Sequence, residues 1–173
     1  MLGKIFREFS ICKLNQLAGR IDTCLSRLDD DQIWTRASEN ENAIGNLVLH
    51  LVGNLRQRIL ADIGGSPDIR QRDLEFNARE GIGGTELGAA LRATVAEAVY
   101  SIGSVSDERL TERIVVQQET MTVLEAIYQV VQHFALHAGQ IFYATKLLTG
   151  QELGFTTHTR ASKEASCADS PVR

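Results

Sequence analysis

The sequence predicts an all-α fold, a four-helix bundle of the up-and-down type. In four long segments, apolar residues recur at intervals of three and four, which is the spacing of one buried helix face. Segments of alternating apolar and polar residues, the pattern of half-buried strands, are scarce. The two prolines, Pro67 and Pro171, both lie outside the periodic segments. Together these observations favour helices over a sandwich or barrel.

Each helix is predicted from its own apolar stripe. The fourth has the clearest start, a capping box in which Thr122 and Glu125 can bond each other's backbone N–H groups. The second follows capping residues near position 40 and ends near Gly64 and Gly65. The four predicted segments are residues 3–28, 44–64, 85–102 and 122–150.

A long connection, Ser66 to Gly84, separates the second and third helices. Connections longer than about a dozen residues are often functional or contain a short helix. We expect a mobile insertion in which Phe76 docks while its charged neighbours stay in solvent. Between the third and fourth helices, Ser106 to Arg113 is predicted to add one helical turn before a polar link to Met121.

One domain, residues 1–155, accounts for all the periodic segments and is long enough to bury a sizeable core. Residues 156–173 are polar, rich in small side chains and without periodicity, so they are predicted to be a disordered tail. His158 falls in this tail and is excluded from any site.

Charge and cysteine content point to a cytoplasmic protein that binds neither nucleic acid nor membrane. The formal net charge is −4, without a basic stretch of the kind that binds nucleic acid. Neither a signal peptide nor an apolar run of about 18 residues is expected. Cys12, Cys24 and Cys167 form no CxxC pair. Because Cys12 and Cys24 point in different directions on a helix, no disulfide joins them, and the cysteines are predicted to be reduced.

Two histidines in the middle of the fourth helix form the strongest chemical signal. His133 and His137 are four residues apart, which places both imidazoles on one helix face, about 5–6 Å apart at Cβ. Their stripe is apolar at most other positions, so both rings are predicted to point inward. Two imidazoles at this spacing can bind one metal ion, although the motif lacks the adjacent glutamate of metalloproteases.

A third histidine, His50, lies on a small, polar line of the second helix beside its apolar face. If this line faces the fourth helix, the three imidazoles would leave coordination positions open on a shared ion, as catalytic sites do. Gln140 could then bind a water or substrate, and Asn54 could orient His50. The alternative is that the histidines are hydrogen-bonded core residues without a metal. The polar line consists of Asn46, Leu47, His50, Gly53, Asn54 and Gln57.

Three segments resemble the DinB-like superfamily, and within it a branch of unknown function. They are NAIGNLVLHLVGNLRQRI (Asn42 to Ile59), RQRDLEF (Arg70 to Phe76) and the segment Thr122 to Leu153, which contains H-x-x-x-H-x-G-Q. The resemblance covers about residues 5–155. It implies a four-helix bundle in which His50, His133 and His137 bind a divalent metal.

Characterised members of this superfamily include thiol-dependent S-transferases and a mycothiol-dependent isomerase, commonly homodimers with nickel, zinc or other divalent ions. The resemblance therefore implies zinc or nickel, or else iron, copper or manganese, with a low-molecular-weight thiol as a second cofactor. Many relatives have a larger or basic residue where this chain has Ala138, so substrate contacts do not transfer.

The sequence thus predicts a metal-dependent transferase or hydrolase, in which the metal activates a thiol or water to attack a small-molecule substrate. The alternative is a non-catalytic homodimer that senses a metal or ligand in a stress response. Serine-type and P-loop chemistry find no support, because G-x-S-x-G is absent and GIGGTELG lacks the P-loop lysine.

Overall fold

The computed structural model describes residues 1–155, which form helices and one β-hairpin. The predicted tail, residues 156–173 with His158, lies outside the described residues. The helices are α1 (Leu2–Leu25), α2 (Asp30–Trp34), α3 (Ile44–Leu55, continued by a π-helical segment, Arg56–Ala61), α4 (Arg72–Asn77), α5 (Gly84–Ser104), α6 (Asp107–Thr111) and α7 (Val123–Thr149). The strands are β1 (Arg113–Val116) and β2 (Glu119–Thr122).

Four long helices, α1, α3, α5 and α7, pack around one apolar core. Helices α1 and α3 each contact both α5 and α7. Every one of the four contributes side chains that are fully buried, among them Leu14, Leu51, Leu91 and Ile127. The periodic apolar stripes therefore meet as the sequence predicts, and the helical fold class is confirmed for the described residues.

Helices α3 and α5 run parallel to each other. Their beginnings both lie at α2, where Trp34 packs directly on Gly45 and donates its indole N–H to the carbonyl oxygen of Ile82 (3.0 Å). Their ends also lie together, since the space at Gly64 is bounded by the Ser101 side chain. Parallel neighbours need a connection that returns along the whole bundle.

Helices α1 and α7 run in the opposite direction to α3 and α5. Near the start of α1, Arg7 bonds Asp107 of α6 (2.7 Å), and α6 lies just before the hairpin that leads into α7. Near the end of α1, Arg27 donates to the carbonyl oxygen of Glu152, which follows α7 (2.8 Å). The order is therefore not the simple up-and-down one predicted from the sequence.

The connection between α3 and α5 is a crossover docked on α3, not a free insertion. It carries α4, which packs against α3. Phe76 docks as predicted, with its ring centroid 4.8 Å from that of His50. The expectation that the neighbouring charges stay in solvent is wrong for Glu75, which is 9% exposed. The crossover thus places ionic side chains inside the fold.

The polar link before the fourth helix contains an antiparallel hairpin that the sequence analysis missed. Arg113 pairs with Thr122 and Val116 with Glu119. The two turn residues have positive φ angles, 49° at Gln117 and 72° at Gln118. Such a turn usually contains Asn-Gly or Asp-Gly. Because Gln-Gln stands there instead, the usual signal for a hairpin is missing from the sequence.

Helix α7 begins and ends as predicted, but not all of its apolar residues are buried. The Thr122 hydroxyl accepts a hydrogen bond from the Glu125 N–H (3.2 Å), and the Glu125 carboxylate accepts one from the Thr122 N–H (2.7 Å). Gly150 ends the helix in the left-handed conformation (φ 66°), which glycine adopts without strain. Leu124 and Leu147, two apolar residues of its periodic pattern, are 37% and 67% exposed.

The cysteine prediction holds in part. Cys24 is a free thiol buried in the core, where desolvation raises its pKa. Cys12 takes part in a disulfide, so the prediction that it is reduced is wrong. Since Cys24 is free, the two do not pair with each other, as their helical spacing predicts.

None of the helices formed by residues 1–155 combines the length and the apolar character that crossing a bilayer requires.

Candidate metal centre

Three histidine side chains meet between α3 and α7. His50 projects from α3, and His133 and His137 project from α7 one turn apart. The Nε2 atoms of His50 and His133 are 2.9 Å apart, and one nitrogen of each of the three rings lies within 4.8 Å of the others. The ring centroids are 4.4–5.0 Å apart. The structure therefore brings together the three residues that the sequence analysis selected.

The donor set suits a divalent transition metal. An ion bound at 2.0–2.1 Å requires ligand nitrogens no more than about 4.2 Å apart. The pair formed by His50 and His133 meets this limit at 2.9 Å, and the nitrogens of all three rings lie within 4.8 Å of one another, close to it. Two ring nitrogens 2.9 Å apart must share either a proton or a cation. Three imidazoles and no carboxylate at the ion would favour zinc, nickel, copper or ferrous iron over magnesium or calcium.

The surroundings hold two of the rings in the neutral form that a metal needs. Burial lowers the pKa of His50, outweighing the opposing effect of its hydrogen bond to Glu75. Burial, followed by the charges of His137 and His50, lowers the pKa of His133 to about 4. Both imidazoles are therefore unprotonated at neutral pH, and their lone pairs are available to a cation.

Glu75 orients His50. The Nδ1 atom of His50 lies 3.0 Å from Oε2 of Glu75, and a carboxylate accepts the imidazole N–H. With the proton on Nδ1, the Nε2 lone pair faces the other two histidines. The Nη2 atom of Arg70 also lies 3.0 Å from Nδ1, but it donates to the same carboxylate oxygen of Glu75. A carboxylate behind a metal-binding histidine is a common arrangement that fixes the ring and raises its basicity.

Arg70 holds Glu75 in place. Its Nε and Nη2 atoms donate to the two carboxylate oxygens at 2.7 and 2.8 Å. Its Nη1 atom donates to Gln57 (2.9 Å). The side chains of Arg70 and Glu75 are only 5% and 10% exposed, so the two charges compensate each other in a largely desolvated setting.

The crossover between α3 and α5 packs against the polar line of α3. Asn46, which is fully buried, donates to the carbonyl oxygens of Glu75 (2.8 Å) and Ala78 (2.9 Å). Gly53 lies directly beneath the Glu75 carboxylate, and a Cβ atom there would overlap Oε1. The line is small and polar because a second chain segment lies against it.

Gln140 and Asn54 have different positions from those expected. Gln140 is exposed, and its Oε1 lies 2.7 Å from Nδ1 of His137, so it orients that ring. Asn54 lines the cavity beside His50. Within the described residues, no hydrogen bond joins Asn54 to His50, and Glu75 has the orienting role that the sequence analysis gave to Asn54. A catalytic role for Gln140 or Asn54 stays a prediction.

Glu75 and Arg70 are the functional residues that sequence reasoning missed. Both lie in the segment RQRDLEF, which carries the DinB-like resemblance. A buried glutamate cannot be distinguished from a solvated one in a charge-rich connection. The signal in the sequence for a buried segment of this kind was the polar line on α3, because buried polar side chains require hydrogen-bonding partners.

A cavity of about 740 Å³ opens beside the histidines. It lies between α3, the hairpin and α7, with His50 and His133 in its wall. Other residues lining it are Asn54, Arg58, Val116, Gln117 and Val130. The size suits a small organic ligand, and the position lets such a ligand reach the three-histidine centre.

Two solved structures share the fold. A conserved protein from Enterococcus faecalis superposes with a TM-score of 0.68 at 16% identity, over 82% of this chain and 96% of that one. A DinB-like protein from Bacillus cereus superposes with a TM-score of 0.64 at 15% identity, over 80% and 89% of the two chains. No curated protein matches the sequence.

The sequence also matches a protein family model over residues 2–161, nearly its whole length. That family is described as a protein of unknown function, DUF1572, and it is DinB-like. Because the match covers far more than half of the chain, it shows that this chain belongs to the DUF1572 family of DinB-like proteins.

Proposed function

We propose that the protein is a metal-dependent transferase whose His50, His133 and His137 bind one divalent ion. The convergence of three imidazoles beside an open cavity carries this proposal. A bound ion would lower the pKa of a coordinated thiol or water and so supply a nucleophile at neutral pH. Zinc or nickel is the proposed metal.

The protein's own residues would prepare the site for that chemistry. Glu75 keeps the Nε2 lone pair of His50 directed at the other rings, and Gln140 does the same for His137. The walls of the cavity would hold the substrate beside the metal centre. Three protein ligands leave at least one coordination position for the thiol or water.

Metal content tests the proposal directly. The wild-type protein, purified without an affinity tag, is expected to contain about one divalent ion per chain by elemental analysis. The double variant His50→Ala, His133→Ala is expected to contain almost none, because two of three ligands are lost. His158→Ala, which changes the fourth histidine, serves as the control. Equal metal content in wild type and double variant would refute the metal site.

Turnover separates the enzyme from the alternative function. The metal-loaded protein is to be assayed with bacillithiol-, mycothiol- and glutathione-type thiols and a panel of small electrophiles. Conjugation that is lost in the double variant supports a transferase. Metal binding without turnover across the panel supports the sensing homodimer. One observation favours this alternative. Leu136 lines the cavity and is also 61% exposed on the outer face of α7, so a ligand in the cavity would contact a residue of the surface on which a partner could pack.

We also propose that this outer face of α7 forms a homodimer interface. Leu136, Tyr143 and Leu147 lie on it and are 61%, 67% and 67% exposed. Between them, Gly139 has open space above it, which allows a second helix to approach closely. The cytoplasmic location stays a prediction.

Analytical ultracentrifugation measures the oligomeric state and so tests the proposed homodimer. The wild-type protein is expected to be a dimer, and Tyr143→Glu is expected to be a monomer because a charge would be buried at the interface. Tyr100→Glu is the matched control, since Tyr100 is 80% exposed on α5. A monomeric wild type, or dissociation of both variants, would contradict the assignment.

A further inference from the structure

The cavity beside the histidines is lined by positive charges without negative ones. Arg58, Arg70 and Arg72 contribute to its wall, and none of the described residues lining it is an aspartate or glutamate. The chain as a whole has a net charge of −4, so this concentration of arginines is local. Arginine is the side chain best suited to bind carboxylates and phosphates.

Two of the three arginines are already engaged. Arg70 uses its guanidinium to hold Glu75 and Gln57. Arg72 is exposed at the rim, with its guanidinium 4.8 Å from the centre of the Phe76 ring. Neither is the primary candidate for an anion inside the cavity, so the choice falls on Arg58.

Arg58 has a buried donor group that the protein does not satisfy. Its side chain is 16% exposed. The Nη2 atom donates to Gln117 in the hairpin turn (2.9 Å), whereas the buried Nη1 atom has no hydrogen-bond partner among the described residues. Asp62 compensates part of the charge, but its Oδ2 lies 3.6 Å from Nη1, beyond hydrogen-bond range.

A buried, unsatisfied guanidinium N–H is costly unless a ligand or water completes it. The hairpin turn that holds the other side of Arg58 has positive φ angles at two non-glycine residues, Gln117 and Gln118. Strained backbone of this kind is concentrated at ligand sites. The hydrogen bond to Gln117 therefore positions Arg58 at the wall of the cavity, where an anionic group could pair with its guanidinium.

The distance from Arg58 to the histidines sets the length of a ligand that could contact both. Positions 50, 54 and 58 all line the cavity, and eight residues of α-helix rise about 12 Å, slightly less where the helix is π-helical. The cavity wall also includes the aliphatic side chains of Val116, Ala126 and Val130. A ligand that spans the cavity would thus contact an arginine, then an aliphatic surface, then the metal centre.

We propose that the cavity binds a small molecule with a carboxylate or phosphate held by Arg58, an apolar middle, and a reacting end at the three-histidine centre. The reacting end rests on the proposed metal function, whereas the anion site does not. The anionic group could belong to the thiol or to the molecule that the thiol attacks.

Calorimetric titration of the zinc-loaded protein tests the first source. The ligands are ω-mercaptoalkanoic acids of increasing chain length, each compared with the ω-mercapto alcohol of the same length. The acid is expected to bind about tenfold more tightly or better, because it adds a charge-assisted hydrogen bond. The preference is expected to be largest at the chain length that spans the cavity.

The second source is tested with alkanoic acids that lack a thiol, again compared with the corresponding alcohols. A preference for the acid in this arm assigns the anion site to the second substrate, and a preference only in the thiol arm assigns it to the thiol. Equal binding of acids and alcohols in both arms would overturn the proposal.

Arg58→Gln is expected to abolish the preference while metal content stays at the wild-type level. Arg56→Gln is the matched control, since Arg56 is exposed and lies outside the cavity. A preference that survives in Arg58→Gln, or is lost equally in Arg56→Gln, would also overturn the proposal. Failure to bind zinc would instead refute the metal centre, and the thiol-free arm would still test Arg58.

Discussion

Replacing Glu75 by glutamine is expected to lower both metal affinity and stability. The carboxylate that holds the Nδ1 proton of His50 is lost, and such changes usually cost about 10–100-fold in metal affinity. The same change leaves the Arg70 guanidinium, 5% exposed, without its counter-charge. Removing one member of a buried ion pair destabilises by about 3–5 kcal/mol. Competition with a chelator and chemical denaturation of the metal-free protein measure the two effects separately.

A double variant separates the two roles of Glu75. In Arg70→Met, Glu75→Gln neither charge remains, so stability should recover toward wild type. Metal affinity should stay low, because His50 still lacks its carboxylate. Glu152→Gln is the matched single control, since Glu152 pairs with Lys146 at 2.8 Å on the exposed surface and should cost less than about 1 kcal/mol. Unchanged metal affinity in Glu75→Gln would show that the carboxylate does not support the site.

Gly53→Ala is expected to damage the metal centre without touching a ligand. The added Cβ would overlap Oε1 of Glu75 and lie 3.0 Å from Nε of Arg70. Hydrogen bonds hold both groups, so neither can swing away freely. The crossover must shift, and overpacking of this kind costs about 1–3 kcal/mol. Metal affinity should fall because Glu75 is displaced from His50.

Gly19→Ala is the matched control for this substitution. Gly19 is exposed within α1, and a Cβ there would meet nothing within 4 Å. Alanine should therefore stabilise α1 by about 0.5–1 kcal/mol. The two variants are expected to shift the denaturation midpoint in opposite directions. A more stable Gly53→Ala with wild-type metal affinity would mean that the crossover does not press on α3 as described.

The histidine pair illustrates what helical periodicity can predict. A spacing of four residues places His133 and His137 on one face wherever the helix lies, and the apolar neighbours show that this face turns toward the protein. His50 is different, because its relation to the pair depends on how α3 packs against α7. The polar line around His50 showed that something unusual faces α3, but not what.

The crossover explains why the second half of the site could not be predicted. A simple up-and-down bundle needs only short links, and in that arrangement RQRDLEF would be a solvated loop. The parallel alignment of α3 and α5 forces residues 62–83 to return along the bundle, and their path lies over His50. Only this path places Glu75 against the imidazole and Arg70 behind it.

The sequence by itself determined the four long helices, the capping box at Thr122, and the two histidines on one buried face. These features depend on residues within a few turns of each other, where backbone geometry sets which side chains are neighbours. The tertiary structure alone decided the helix directions, the meeting of His50 with the pair, and the Glu75–Arg70 support. Those contacts join residues far apart in the chain, and the packing of whole helices determines which of them form.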